Sequence, residues 1–313
     1  MTFKDITRAV RTRQWAKNAL LFGGFVFAGR LRAAPELLWG ELSRVLLAFG
    51  CFCALSGLAY LLNDWLDIER DRLHPTKKNR PLASGRISKR GALILMGVCA
   101  FVALFCAALV VIFEPRAWGF PVAAATYFAL TVAYSLRLKH EVIIDVLSVA
   151  AGFVVRVVAG CLAIPVAISP WIIFCTFNLA LFVALNKRRA ELVDLGHETG
   201  TRAVLKGYTA PMLDTLIAVA AGLTIISYSL YTFSYSFNAP HTSALGALSN
   251  TPLLMTSIPF VIYGVFRFLI LAHSSAVGGE PEQMLRDKPL LINGVLWAFW
   301  VTMLTILPGF LGV

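Results

Sequence analysis

Apolar residues run along this chain in blocks, and the charged residues are confined to the short segments between them. An α-helix rises about 1.5 Å per residue, so some 20 apolar residues cross a hydrocarbon core about 30 Å thick. Breaks at charge clusters and at Pro/Gly turns predict helices at roughly 15–29, 42–63, 91–113, 118–136, 142–163, 170–186, 213–233, 252–272 and 289–310. The first of these is short and heavily basic at its start. The expected architecture is all-α: a multispanning bundle of nine transmembrane helices, with residues 1–313 forming a single integral membrane domain.

Composition removes the alternatives. With 58% hydrophobic and only 14% charged residues, a soluble globular protein is excluded. The net charge of +11 comes from 28 Lys and Arg against 17 Asp and Glu. In a multispanning protein such a surplus belongs to cytoplasmic loops, so the lipid bilayer, not nucleic acid, accounts for it. Basic residues crowd the N-terminal arm, the Arg70–Arg90 connection, Arg137 and Lys139, the Lys187–Lys206 segment, and Arg286 with Lys288. The opposite connections hold Arg30, Arg32, Arg44 and Arg116. This asymmetry puts the N-terminus in the cytoplasm of a cell-membrane protein and the C-terminus outside. The apolar stretch after the basic start lacks a small-residue cleavage site, so no signal peptide is expected to be removed. Six cysteines fall inside apolar runs without metal-ligand spacing, and they read as small packing residues. A homo-oligomer is compatible with everything above.

Most acidic residues follow the basic ones to the predicted cytoplasmic side, and charge rules do not ask for that. At about 100° per residue, Asn63, Asp64, Asp67 and Asp71 share one face at the end of the second helix. Clustered carboxylates at a membrane boundary repel one another, and a divalent cation removes the cost. Hard oxygen donors suit Mg²⁺, which takes one or two carboxylates together with waters and substrate phosphates. Asp71, furthest along the motif, is expected to matter least. The segment His74–Gly85 then stops the helix with two prolines and a glycine, and brings Lys77 and Arg80 near the carboxylates. A metal beside two cations fits a diphosphate. The plainer alternative is a solvated helix end balanced by Arg70 and Arg72.

A second cluster closes the sixth helix. Lys187, Glu191, Asp194 and Glu198 fall on one stripe if the helix continues, with Arg188 beside them. An ordinary Lys/Glu surface pair is the alternative here. Helices two and six are an even number of spans apart, so both clusters would reach the same membrane surface. Within the spans, Arg156 lies about 16 Å deeper than Asp145 on the same helical face. It either holds a lipid phosphate or pairs inside the bundle. Arg267, near a helix end, is expected to snorkel.

The pattern NDxxDxxxD at 63–71, followed by HPTKKNRPLASG and set among nine predicted spans, resembles the UbiA superfamily of intramembrane transferases. Four further segments, RTRQWAKN (Arg11–Asn18), YSLRLKH (Tyr134–His140), NKRRAEL (Asn186–Leu192) and GGEPEQMLRDK (Gly278–Lys288), resemble its decaprenyl-phosphate phosphoribosyltransferase branch. Ordinary family members carry a second aspartate-rich motif where this chain has Lys187, Arg188 and Glu191. The resemblance implies Mg²⁺-dependent transfer of a 5-phosphoribosyl group from phosphoribosyl diphosphate to a polyprenyl phosphate, feeding a cell-envelope pentose pathway. It places Mg²⁺ at Asn63, Asp64, Asp67 and Asp71, and the diphosphate at Lys77 and Arg80. The ribose phosphate and hydroxyls fall to Lys187, Arg188 and Glu191, so that Asp64, Asp67, Lys187 and Glu191 carry the catalytic weight. Lys17, Arg13 and Arg156 are candidates for the lipid phosphate, and Tyr134, Arg137 and Lys139 for further substrate contacts.

Elementary chemistry agrees with this assignment. Cleavage at an anomeric carbon builds negative charge on the departing diphosphate, so the main requirement is electrostatic. A phosphate nucleophile is ionised near neutral pH and needs no general base, in keeping with the absence of a histidine placed for catalysis in any span. Two rivals stand beside it: a prenyltransferase using prenyl diphosphate and an aromatic acceptor, and a transporter.

Overall fold

The computed structural model describes residues 2–27, 30, 34–73, 77–194, 203–237, 252–273 and 287–310. Every element among them is helical: α1 (Phe3–Ala9), a 3₁₀ segment (Thr12–Phe22), α2 (Gly23–Phe27), α3 (Pro35–Leu66), α4 (Ile68–Leu73), α5 (Lys89–Phe113), α6 (Gly119–Leu136), α7 (Ile144–Ala163), α8 (Pro170–Asp194), α9 (Ala210–Phe237), α10 (Ile258–His273) and α11 (Lys288–Phe310), with short 3₁₀ turns between some of them. Seven helical stretches among the described residues are long and apolar enough to cross a membrane, the first being Pro35–Leu66 and the last Leu254–His273. The protein is therefore a multi-pass membrane protein. The predicted first span differs from expectation: residues 12–22 wind as 3₁₀, followed by the five-residue α2, and do not make a membrane-length α-helix.

Local signals explain the helix ends. Pro35 at the first turn starts α3 about two turns before the apolar run begins, because proline loses no intrahelical hydrogen bond there. Ser88 caps α5 by accepting from the Gly91 amide at 3.1 Å. Thr2 and Asp5 form a reciprocal capping box on α1. α3 stops at Leu66, where Asp67 adopts φ −98° and ψ 9°, and α4 resumes one residue later.

The chain divides into two compact units. The first comprises Met1–Phe25, Ala34–Leu136 and Val155–Val166. Its core is built from small residues (Ala48, Cys51, Ala54, Ala103, Ala107, Ala123, Ala124, Ala159 and Ala163) around Phe52 and Phe120. Small side chains let helices approach closely, which is how membrane helices gain packing energy when lipid removes the hydrophobic drive. All six cysteines are free thiols, and Cys51, Cys53 and Cys161 are buried, as packing residues should be. The second unit comprises Val26–Ala33, Arg137–Val154 and Ala167–Val313, with a core around Phe182, Leu213, Ile217 and Phe268 and a further aromatic cluster around Tyr228 and Tyr231.

Gly160 of α7 shows how tightly the 3₁₀ segment is held. A Cβ there would lie 2.0 Å from the Leu21 carbonyl oxygen, a backbone atom that cannot swing aside. Gly160→Ala is therefore expected to cost about 1–3 kcal/mol by overpacking. Thermal unfolding in detergent checks this, with Gly222→Ala, which has open space around it inside α9, not lowering the midpoint.

Candidate active site

In the first unit the acidic motif ends α3 and begins α4. Asp64 and Asp71 are both buried and share one cation: Arg80 Nη1 donates to Asp64 Oδ1 at 3.0 Å and to Asp71 Oδ2 at 2.7 Å. Arg11 Nη2 donates to the same Asp64 oxygen at 2.7 Å, and its guanidinium lies 4.4 Å from the centre of the Tyr60 ring. Arg11 reaches this position from a left-handed backbone, φ 51° and ψ 56°, at the junction of α1 and the 3₁₀ segment. Sequence reading did not single it out as a site residue, although it opens RTRQWAKN, because nothing in linear spacing joins residue 11 to residue 64.

The break at Asp67 changes the expected face. Asp67 is about a quarter exposed and pairs with Arg70 at 4.0 Å. Among the described residues no three His, Cys, Asp or Glu side chains stand close enough to hold a metal ion by themselves. The convergent donors are the pair Asp64 and Asp71, whose oxygens already meet at one positive nitrogen. That is a fit for Mg²⁺ of the kind that binds one or two carboxylates and completes its shell with waters and substrate phosphates. Asn63 is half-buried on the last turn of α3, and Lys77 is exposed on the turn before Arg80.

Elsewhere in the same unit, Arg156 is tied to neutral groups. Its Nε donates to Asn18 Oδ1 at 2.9 Å, and its Nη2 donates to Tyr127 Oη at 2.8 Å, with the guanidinium 4.6 Å from the Tyr127 ring centre. Tyr127 shares a hydrogen bond with Ser56 at 3.0 Å, and Asn18 Nδ2 lies 3.4 Å from the Ser56 hydroxyl. The ring so formed joins the 3₁₀ segment to α3, α6 and α7, and polar groups buried in a membrane protein must find such partners. Arg13 is exposed and Lys17 half-buried on the 3₁₀ segment, and Tyr134 is half-buried near the end of α6.

In the second unit, α8 continues to Asp194, so Lys187, Glu191 and Asp194 are helical as the stripe required, with Arg188 beside them. Glu198 lies outside the described residues. Lys187 is exposed, whereas Arg188 is buried. Arg188 Nε donates to Asp145 Oδ2 at 2.6 Å, and its Nη1 pairs with Glu191. The Tyr208 hydroxyl donates to Asp145 Oδ1 at 2.8 Å. Burial pushes the Tyr208 phenol up to about 12, so it keeps its proton throughout the physiological range. Asp145 and Tyr208 were missed as site residues for the same reason as Arg11. Arg137 is exposed and Lys139 half-buried in the turn before α7. Arg267, expected to snorkel, pairs with Asp287 through both Nε and Nη2, at 3.1 and 2.9 Å.

The buried arginine–carboxylate clusters lie near the ends of membrane-length helices. Transporters keep their ionisable groups near the bilayer midplane. The family model described as the UbiA prenyltransferase family matches residues 20–262, and the chain belongs to that family as a UbiA-type transferase. It is 33% identical over 296 residues to the decaprenyl-phosphate phosphoribosyltransferase of Mycolicibacterium smegmatis, covering 93% of this chain and 89% of that protein. It is 30% identical over 315 residues to the protein of the same name from Corynebacterium glutamicum, covering 97% and 87%. Among solved structures it resembles a UbiA homolog from Archaeoglobus fulgidus bound to GPP and Mg²⁺, with a TM-score of 0.66, 19% identity, and coverage of 96% of this chain and 99% of that one.

Proposed function

We propose that this protein transfers the 5-phosphoribosyl group of phosphoribosyl diphosphate to a polyprenyl phosphate, releasing diphosphate, with Mg²⁺ as cofactor. The observation that carries the proposal is the end-to-end similarity to a decaprenyl-phosphate phosphoribosyltransferase, over 93% of the chain. Residues 1–313 would act as one domain of nine passes in the cell membrane, with its chemistry on the cytoplasmic face, serving cell-envelope polysaccharide synthesis.

Asp64 and Asp71, with Asn63 and Asp67 on the same helix end, would hold the metal. When bound, Mg²⁺ supplies Lewis-acid stabilisation of charge on the diphosphate. Lys77, Arg80 and Arg11 add fixed positive charge beside those carboxylates, where charge develops as the bond between the anomeric carbon and the diphosphate oxygen breaks. That bond's electron pair leaves with the diphosphate, and an oxygen of the lipid phosphate forms the new bond to the anomeric carbon. Lys17, Arg13 and Arg156 are assigned to the lipid phosphate. Lys187 is assigned to the ribose 5-phosphate, and Arg188 and Glu191 serve the ribose end. Tyr134, Arg137 and Lys139 are assigned further substrate contacts.

Membranes containing the protein, incubated with labelled phosphoribosyl diphosphate and polyprenyl phosphate, should yield a phosphoribosylated lipid detectable by mass spectrometry. Transfer of a prenyl group to an aromatic acid instead, with no labelled lipid, would overturn the proposal.

A further inference from the structure

The second unit contains a hydrogen-bonded chain whose order is dictated by chemistry. The Ile143 amide can only donate, and it donates to the Tyr208 oxygen at 2.7 Å. The phenol must therefore send its own proton elsewhere, and it goes to Asp145 Oδ1 at 2.8 Å. The second oxygen, Asp145 Oδ2, accepts from Arg188 Nε at 2.6 Å, and Arg188 turns its Nη1 to Glu191. Asp145 is fully buried, while Tyr208 and Arg188 are 3% and 4% exposed. The Glu191 side chain, 22% exposed, is the accessible end of the chain.

The contact that starts the chain is over-determined. Ile143 sits at φ 69°, in a region that a β-branched residue rarely adopts and that persists only when the surroundings impose it. Gly207, just before Tyr208, has no side chain where a Cβ would come within 2.4 Å of Val142 Cγ2. Strain on one side and a missing side chain on the other press the segment before α9 onto the turn before α7. A packed fold alone does not require a tyrosine there, since a phenylalanine would fill the same space. What the hydroxyl adds is direction: it satisfies the Asp145 oxygen that Arg188 leaves over, and so holds a buried ion pair in one geometry.

We propose that Tyr208 is a positioning residue which, through Asp145 and Arg188, fixes the Glu191 carboxylate to receive the ribose hydroxyls of the donor. The proposal rests on the phosphoribosyl reading given above and divides the basic pair on α8. Arg188, engaged by two carboxylates, orients Glu191, and the exposed Lys187 meets the phosphate.

Tyr208→Phe removes one oxygen and leaves the ring. With the Asp145 oxygen left without its donor and Glu191 no longer held in one geometry, the KM for phosphoribosyl diphosphate is expected to rise about tenfold. The KM for polyprenyl phosphate should stay within about twofold. Asp145→Asn, which weakens the hold on Arg188 while keeping the side-chain shape, should move the same KM in the same direction, and it carries the test if Tyr208→Phe does not fold. An unchanged donor KM in a folded variant overturns the assignment. So does a loss confined to the amount of active enzyme, or failure of both variants to fold, because either would make the network purely structural. If the wild type itself does not turn over phosphoribosyl diphosphate, the functional reading falls and takes this assignment with it. If the wild type is active and the variants keep its KM, this assignment falls alone.

Discussion

Asp67→Ala should lose turnover while the protein remains inserted and folded, and Asp64→Ala should lose it as completely. The two substitutions differ in what else they disturb. Asp67 pairs with Arg70 at 4.0 Å on an exposed rim, so its removal is expected to change stability by less than about 1 kcal/mol. Asp64 is 2% exposed and accepts from both Arg11 and Arg80, so its removal leaves two arginines beside the single carboxylate of Asp71. Breaking such a buried pair costs about 3–5 kcal/mol. Asp64→Asn keeps an acceptor of the same shape and separates the two effects: the fold should recover and turnover should not. By position along the motif Asp71 is the mildest site, but it shares the Arg80 nitrogen with Asp64, and Asp71→Ala should now rank with Asp64→Ala. Initial rates with and without excess chelator, alongside detergent melting curves, check the set. Full activity in either the Asp64 or the Asp67 variant, or in chelator, would sink the metal assignment.

Lys187→Ala should lower turnover of phosphoribosyl diphosphate by roughly ten- to a hundredfold, while free diphosphate still competes. The donor carries a 5-phosphate as well as its diphosphate, so it needs a cation away from the metal, where a prenyl diphosphate has an apolar tail. A charge-assisted phosphate contact contributes about 1.5–3 kcal/mol, which sets that range. Lys187 is exposed and available for this role. Arg188→Ala should lose at least as much activity for a second reason: it leaves the Asp145 carboxylate buried and without its arginine. Its melting temperature should therefore fall, and that of Lys187→Ala should not. Wild-type kinetics in both variants would refute the phosphoribosyl reading in favour of a prenyl donor.

The amino-acid sequence determined by itself those properties that depend on distance along the chain. Apolar runs of membrane length required spanning helices, because an unpaired backbone has no partner in hydrocarbon. The 3.6-residue period put Lys187, Glu191 and Asp194 on one stripe of α8, and the acidic motif placed clustered carboxylates at the end of α3. Tertiary structure alone decided which charges meet. Arg11 reaches Asp64 across 53 residues, Tyr208 reaches Asp145 across 63, and Arg156 reaches Asn18 across 138. No local propensity encodes such pairings, because they follow from which helices pack together and from buried charges having to find partners wherever the fold offers them. The same dependence explains the two local expectations that changed. The 3₁₀ winding of residues 12–22 accompanies a backbone approach that only Gly160 permits, and the break at Asp67 turned a uniform acidic face into a convergent pair and a rim residue.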